Sequence, residues 1–149
     1  MNKKSITVFL LFLVLVAGAQ AEGQKFGLGV IAGEPSGISA KMYLSQNDAV
    51  DAAASWSFIK DTIYLHADYV RHFPGAIDKD FQDFTLYAGL GGLIELDDSS
   101  ALGVRIPVGI NYFFPTLPIE LFVEVGPALL LIPETDFTFT GGIGARFYF

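Results

Sequence analysis

The sequence predicts an all-β protein, namely a transmembrane, antiparallel, up-and-down β-barrel of about eight strands. Hydrophobic residues make up 52% of the chain and charged residues only 17%, whereas soluble domains carry about 25% charged residues. Turn-forming residues interrupt the chain at short intervals, and apolar and polar side chains alternate between them. After the N-terminal region no apolar stretch is long enough for a membrane-spanning helix. Inside a bilayer, a closed barrel is the remaining way to satisfy the backbone.

The N-terminus has the three parts of a secretory signal peptide. Lys3 and Lys4 precede a largely apolar run over 6–17, and Ala19-Gln20-Ala21 forms a small-residue cleavage site. A membrane-spanning helix would need roughly 18 or more apolar residues, and this run is shorter. We therefore expect a cleaved signal peptide over 1–21 and one barrel domain over 22–149.

The chain is acidic and has no cysteine. Its formal net charge is −7, and the predicted cleavage removes two lysines and no acidic residue. Nucleic-acid binding and attraction to anionic lipid would both need a basic patch, so we expect neither. The lack of cysteine excludes a lipid-anchored N-terminus, disulfides and thiol catalysis.

Seven clusters of turn residues divide the mature chain into eight segments. The predicted strands cover residues 25–32, 37–44, 51–59, 62–73, 84–96, 102–114, 119–132 and 137–149. Most match the roughly 9–11 residues of a tilted membrane strand. Alternation is clearest in the seventh segment, where Ile119, Leu121, Val123 and Val125 share one face and Glu120, Phe122, Glu124 and Gly126 share the other.

The polar face is rich in glycine, and this decides which way it points. A solvent-facing sheet would carry many lysines, glutamates and threonines, whereas glycine suits a narrow, crowded interior. Aromatic residues lie toward the predicted strand ends, as expected for girdles at the two membrane interfaces. They are Phe73, Phe84, Tyr112, Phe114, Phe137, Phe147 and Phe149. We therefore expect the apolar face to contact lipid.

The last residues, Gly142 to Phe149, resemble the terminal signal that outer-membrane barrels present to their assembly machinery. The matching positions are Gly144, Phe147 and Phe149, while the polar residue usual at the position of Gly142 is missing. Over its mature length the chain is similar to the small barrels of the OmpA transmembrane-domain and OmpX type. The segments 33–37, 65–69 and 102–107 also resemble a spirochaete outer-membrane barrel family of unknown biochemical role. These resemblances imply location and fold, and they imply little about activity.

With the apolar face toward lipid, eight ionisable residues fall inside the barrel. They are Lys41, His66, Asp68, Glu95, Arg105, Glu120, Glu124 and Arg146. Charges at membrane depth need partners. We expect an Arg146–Glu124 ion pair, and we expect Lys41 and Asp68 to meet across the interior. The network is either a gate for ions or a plug of satisfied charges, and the narrow interior of an eight-stranded barrel favours the plug.

The third hairpin supplies an enzymatic alternative. Pairing Ile59 with Thr62 would set Ser55 opposite His66, with Asp68 on the same face, so a lumenal or rim hydrolase would use these three residues. A buried, structural His–Asp pair is favoured over it. No cofactor is expected, and no metal site, because His66 and His72 lack the spacing of zinc ligands.

Taken together, the sequence predicts a monomeric outer-membrane barrel with a structural or interaction role and no wide pore. Its expected partners are outer-membrane lipid and, through the C-terminal strand, the barrel-assembly machinery. An even strand count places both termini in the periplasm, on the same side as the longest connection, 74–83. A soluble periplasmic lipid-binding barrel is the further alternative.

Overall fold

A computed structural model describes residues 25–81 and 83–149, and the predicted signal peptide lies outside the described residues. The elements are β1 (Phe26–Glu34), β2 (Ser36–Tyr43), β3 (Asp48–Ser57), β4 (Thr62–Phe73), a 3₁₀ turn (Lys79–Phe81), β5 (Phe84–Leu96), β6 (Ala101–Arg105), β7 (Val108–Phe113), β8 (Ile119–Ile132) and β9 (Asp136–Tyr148). Among these residues, no helix is long and apolar enough to cross a membrane.

The nine strands form one antiparallel sheet that closes into a ring. Except for β6 and β7, strands adjacent in sequence pair with one another, and β9 pairs with β1 to complete the circle. Phe149 N donates to Phe26 O at 2.9 Å, so the start and the end of the described chain lie at one end of the ring, here called the terminal end. The turns 44–47 and 114–118 also lie there, as do the described residues of the long connection, 74–81 and 83. The predicted all-β, up-and-down arrangement is confirmed.

The predicted sixth strand, 102–114, is two strands in the structure, β6 and β7. Both pair with β5 and β8, so they share one position in the ring. Their register on β5 is continuous, with Arg105 opposite Gly91 and Val108 opposite Ala88. The interruption is at Pro107, which has no N–H to donate to the ladder. Nine strands therefore occupy the eight positions that the turn pattern predicted.

The two faces of the sheet differ as the alternation predicted, with polar side chains inside the ring and apolar ones outside. Leu121, Val123, Val125, Leu129 and Leu131 on β8 are between 41% and 48% exposed, and the residues between them are buried or half-buried. From residue 121 to residue 131 the strand advances about 33 Å at about 3.3 Å per residue. At a tilt of about 40° this gives an apolar band roughly 25 Å tall, which matches the band of membrane barrels.

Aromatic rings gather at the terminal end of the outer surface. Phe26 stacks on Phe149 with ring centroids 6.5 Å apart, and Phe149 contacts Phe147 at 5.2 Å. On the other side of the ring, Tyr112 contacts both Phe84, at 5.0 Å, and Phe114, at 5.1 Å. Apart from Phe26, these aromatic residues are among those that the sequence predicted for the two aromatic girdles.

Candidate functional site

Arg146, on β9, is the centre of the first of two buried ion clusters inside the ring. Its Nη2 donates to both carboxylate oxygens of Asp51, at 3.0 and 2.8 Å, and its Nη1 donates to Glu120 Oε2 at 3.0 Å. Lys41 Nζ lies 3.2 Å from Glu120 and 3.7 Å from Asp51. We call these four residues the Arg146 cluster. Its two cations balance its two carboxylates.

Glu120 accepts hydrogen bonds from neutral side chains as well as from its two cationic partners. Besides Lys41 and Arg146, Asn111 Nδ2 donates to Oε1 and Tyr148 Oη donates to Oε2, both at 2.7 Å. The side chain is completely buried. Four donors on one carboxylate fit the rule that a buried charge is held by both ion pairs and hydrogen bonds.

Arg105, on β6, is the centre of the second cluster. Its guanidinium donates to Asp68 through Nη1 and to Glu124 Oε1, at 2.7 Å, through Nη2. His66 Nδ1 lies 3.0 Å from Asp68 Oδ2 and 3.1 Å from Arg105 Nη1. We call Arg105, Asp68, Glu124 and His66 the Arg105 cluster. A planar fork that reaches several acceptors at once is the geometry that arginine supplies and lysine does not.

Tyr87, on β5, joins the two clusters. Its hydroxyl donates to Glu124 Oε2 at 2.7 Å, and Lys41 Nζ lies 4.3 Å from the centre of its ring. Arg146 in turn lies over the ring of Phe122, 3.7 Å from its centre. The charges are therefore layered with aromatic faces, which attract cations when water is excluded.

The structure places seven of the eight predicted interior residues in these clusters, and the eighth, Glu95, stands apart. Glu95 Oε1 is buried, and no donor among the described residues bonds to it. Sequence reasoning missed Asp51, because the predicted strand began there, and the structure extends β3 back to Asp48. The signal was present, since two inward cations, Lys41 and Arg146, needed carboxylates nearby.

Two predicted contacts are wrong. Arg146 lies opposite Glu120 rather than beside Glu124, because the β8–β9 ladder is offset from the expected register. Lys41 pairs with Asp51 and Glu120 and does not meet Asp68, whose partner is Arg105. In both cases the residues are inside as expected, but the register assigns them other neighbours.

Ser55 is also displaced from its expected position. It lies opposite Tyr64, and Ala53 lies opposite His66. Ser55 and His66 border one internal cavity of about 10 Å³, close to the smallest volume that holds one water molecule. In residues 25–81 and 83–149, no hydrogen bond joins Ser55 to His66.

One group of side chains has the spacing of a metal site. Ligand atoms of His66, Asp68 and Glu124 lie within 4.8 Å of one another. The guanidinium of Arg105 contacts all three residues. Arginine thus supplies the positive charge that a cation would otherwise bring.

The interior is closed at the end opposite the termini and open at the terminal end. Tyr64, Leu93, Ala128 and Leu130 form a buried apolar cluster near the far ends of their strands. At the terminal end a cavity of about 230 Å³ opens beside Tyr43, His72, Asn111 and Phe113. The interior is therefore a blind cavity above a filled core.

The C-terminal residues lie on the strand that closes the ring. Phe147 and Phe149 point outward and are 46% and 61% exposed. Gly144 faces inward, where an added Cβ would collide with the ring of Phe122. The two phenylalanines are thus presented at the outer surface, and the glycine makes room inside.

No protein-family model matches the chain, and no curated protein matches it. Among solved structures, the N-terminal β-barrel domain of Pseudomonas aeruginosa OprF superimposes with a TM-score of 0.66 at 15% sequence identity. The match covers 85% of this chain and 98% of that domain. It supports the resemblance to small OmpA-type barrels at the level of the fold, while the resemblance to a spirochaete family stays a prediction. The closed ring of strands described above is therefore a β-barrel fold similar to that of the OprF domain.

Proposed function

We propose that the chain is an integral outer-membrane β-barrel whose interior is filled by its own side chains. The observation that carries this proposal is the reversal of the usual polarity: ions inside, large apolar side chains outside. Among the described strands, charged side chains at outward positions are confined to the regions near the strand ends, where Arg71 pairs with Asp48 at 3.4 Å. A surface of this kind is stable in lipid and aggregates in water.

The same polarity argues against a soluble lipid-binding barrel. Such a protein needs an apolar interior for its ligand, and here the interior holds the Arg146 and Arg105 clusters. We propose a structural or interaction role, with the two clusters acting as a plug rather than a gate. The apolar cluster around Tyr64 and Leu93 adds a second obstacle to solutes and supports the absence of a wide pore.

We also propose that His66 and Asp68 are structural rather than catalytic. Arg105 already contacts His66 Nδ1 and Asp68 Oδ2, and the adjoining cavity has room for little more than one water molecule. Replacing His66 with alanine should lower the free energy of unfolding without removing a hydrolytic activity. An activity lost together with His66, at unchanged stability, would contradict this assignment.

The orientation and partners follow from the position of the ends. We propose that both termini are periplasmic, that the outward Phe147 and Phe149 on the closing strand engage the assembly machinery, and that the barrel is a monomer in lipid. This orientation leaves only short turns on the cell surface, which disfavours a large adhesive face.

Heat modifiability tests the membrane barrel directly. The protein is extracted from outer membranes in mild detergent, and its gel mobility is compared before and after boiling. We expect a mobility shift and no protein in the soluble fraction. A soluble protein without a shift would overturn the proposal.

A matched pair of variants tests which face meets lipid. Val123 is outward at mid-strand and 47% exposed, so Val123→Arg should cost about 2–4 kcal/mol of folding free energy in a bilayer. Thr116→Arg, in an exposed turn, is the control and should cost little. In a soluble barrel both exposed sites would tolerate arginine, so equal effects of the two substitutions would refute the lipid-facing assignment.

A further inference from the structure

The blind cavity at the terminal end has features that the membrane barrel does not require. Its volume, about 230 Å³, is that of roughly eight water molecules in the liquid. It is bordered by Tyr43, His72 and Phe113, and by the polar side chains Asn47, Thr85 and Asn111. Small-molecule sites typically combine aromatic walls with a few placed polar groups.

The aromatic wall is built by packing rather than by chance exposure. The ring of Tyr43 lies 5.1 Å from His72, 6.3 Å from Phe113 and 6.0 Å from Tyr148, measured between centroids. Tyr43 comes from β2, His72 from β4 and Phe113 from β7. Strands from both sides of the ring thus hold the wall in one shape before any ligand arrives, which reduces the entropy lost on binding.

The lining carries no free charge. His72 Nδ1 lies 3.1 Å from the backbone oxygen of Asn47, an acceptor, so Nδ1 bears the proton. His72 Nε2 then accepts from Lys41 or Tyr43, at 3.3 and 3.2 Å. The ring is neutral in this arrangement, and the ammonium of Lys41 is directed to Glu120. A charged ligand would find no partner in the lining.

One polar atom in the wall has no hydrogen-bond donor among the described residues. Asn111 is only 1% exposed, and its Nδ2 donates to Glu120, which fixes Oδ1 as the other end of the amide. In the described part of the chain, no donor bonds to Asn111 Oδ1. A buried acceptor without a donor is costly. Because Asn111 Oδ1 is enclosed, a ligand hydroxyl would remove that cost only after a small shift of the amide.

We propose that this cavity binds a single neutral sugar ring. The C–H face of a pyranose suits the aromatic wall, its hydroxyls suit the amides of Asn111 and Asn47, and the cavity is too small for more than one ring. The inference goes beyond the proposed membrane role, because it requires the closed ring and not its location. For a ligand of this size with few polar contacts, the expected Kd is on the order of 1–10 mM.

Saturation-transfer NMR with methyl β-glucoside as the probe tests the proposal. The full chain is purified in a phosphocholine detergent, because maltoside and glucoside detergents carry competing sugars. We expect transfer to the C–H protons of the sugar and at least a fivefold weaker signal with glucuronate, whose carboxylate has no partner in the cavity. No transfer at 10-fold the expected Kd, or equal transfer to glucuronate, would overturn the proposal.

Two variants with the same added bulk separate the cavity from the rest of the surface. Thr85 lies directly opposite Asn111, so Thr85→Phe should fill the cavity and abolish transfer. Thr116→Phe, in the exposed turn at the same end, should leave transfer unchanged. Heat modifiability of both variants verifies that they are folded. If folded Thr85→Phe retains the wild-type signal, the sugar binds elsewhere and the proposal fails.

Discussion

Removing the guanidinium of Arg146 should be among the most damaging single changes to this barrel. Arg146→Met keeps an unbranched apolar side chain but deletes the guanidinium that lies over Phe122, together with two hydrogen bonds to Asp51, one to Glu120 and one to Ser39. Glu120 keeps three other donors, whereas among residues 25–81 and 83–149 Asp51 keeps only Lys41 at 3.7 Å. Most of the cost is therefore a buried, nearly unpaired Asp51. Breaking a buried ion pair in this way costs about 3–5 kcal/mol.

Urea unfolding in lipid vesicles, followed by the fluorescence of the single tryptophan, Trp56, measures this loss by linear extrapolation. If the stranded Asp51 carries the cost, the double variant Arg146→Met/Asp51→Asn should recover at least about 2 kcal/mol, because it restores charge balance around Lys41. Arg71→Met is the control. Its side chain is 61% exposed and pairs with Asp48, so it should cost less than about 1 kcal/mol. Equal losses for Arg146→Met and Arg71→Met, or no recovery in the double variant, would refute the reasoning.

Three further predictions concern the Arg105 cluster and the interrupted strand. Gly126→Ala should destabilise by about 1–3 kcal/mol in the same unfolding assay, because the new Cβ would lie 2.6 Å from Arg105 Cζ. Gly92→Ala, whose Cβ has no neighbour nearer than 4.0 Å, should be neutral or slightly stabilising. Arg105→Ala should leave His66, Asp68 and Glu124 free to bind zinc. Zinc should therefore raise the urea midpoint of this variant and not that of the wild type. Pro107→Val should slow amide exchange around β6 and β7, because it restores the N–H that Pro107 cannot return to Gly89.

The strands and their faces were predictable from the sequence because both depend on local pattern. Turn residues set the ends of β4, β5 and β8 where the structure has them. The period-two alternation separated the residues of each strand into two faces. The glycines on the polar face indicated that this face points into the barrel. These signals need no knowledge of which strands are neighbours.

The partners inside the barrel were not predictable because they depend on register. Alternation repeats every two residues, so ladders that differ by two or four residues bury the same faces and look equally good. That ambiguity placed Arg146 beside Glu124 instead of Glu120. The contact between Arg146 and Asp51 joins β9 to β3, which do not pair. Such a contact follows from the curvature of the closed ring. It cannot be predicted from the pairing of neighbouring strands alone.

The glycines of the polar face and the large interior side chains belong to one packing arrangement. An added Cβ would collide with Tyr148 at Gly27, with Tyr87 at Gly109, with Phe122 at Gly144 and with Arg105 at Gly126. Each of these large side chains either belongs to an ion cluster, hydrogen-bonds one of its carboxylates or packs against one of its cations. A ring of eight strand positions encloses a narrow interior. A charge network and its aromatic layers fit there only if the residues that face them are the smallest available. The glycine content read from the sequence is therefore the steric condition for the buried ions, and a change at any of these four glycines should act through the particular side chain it displaces.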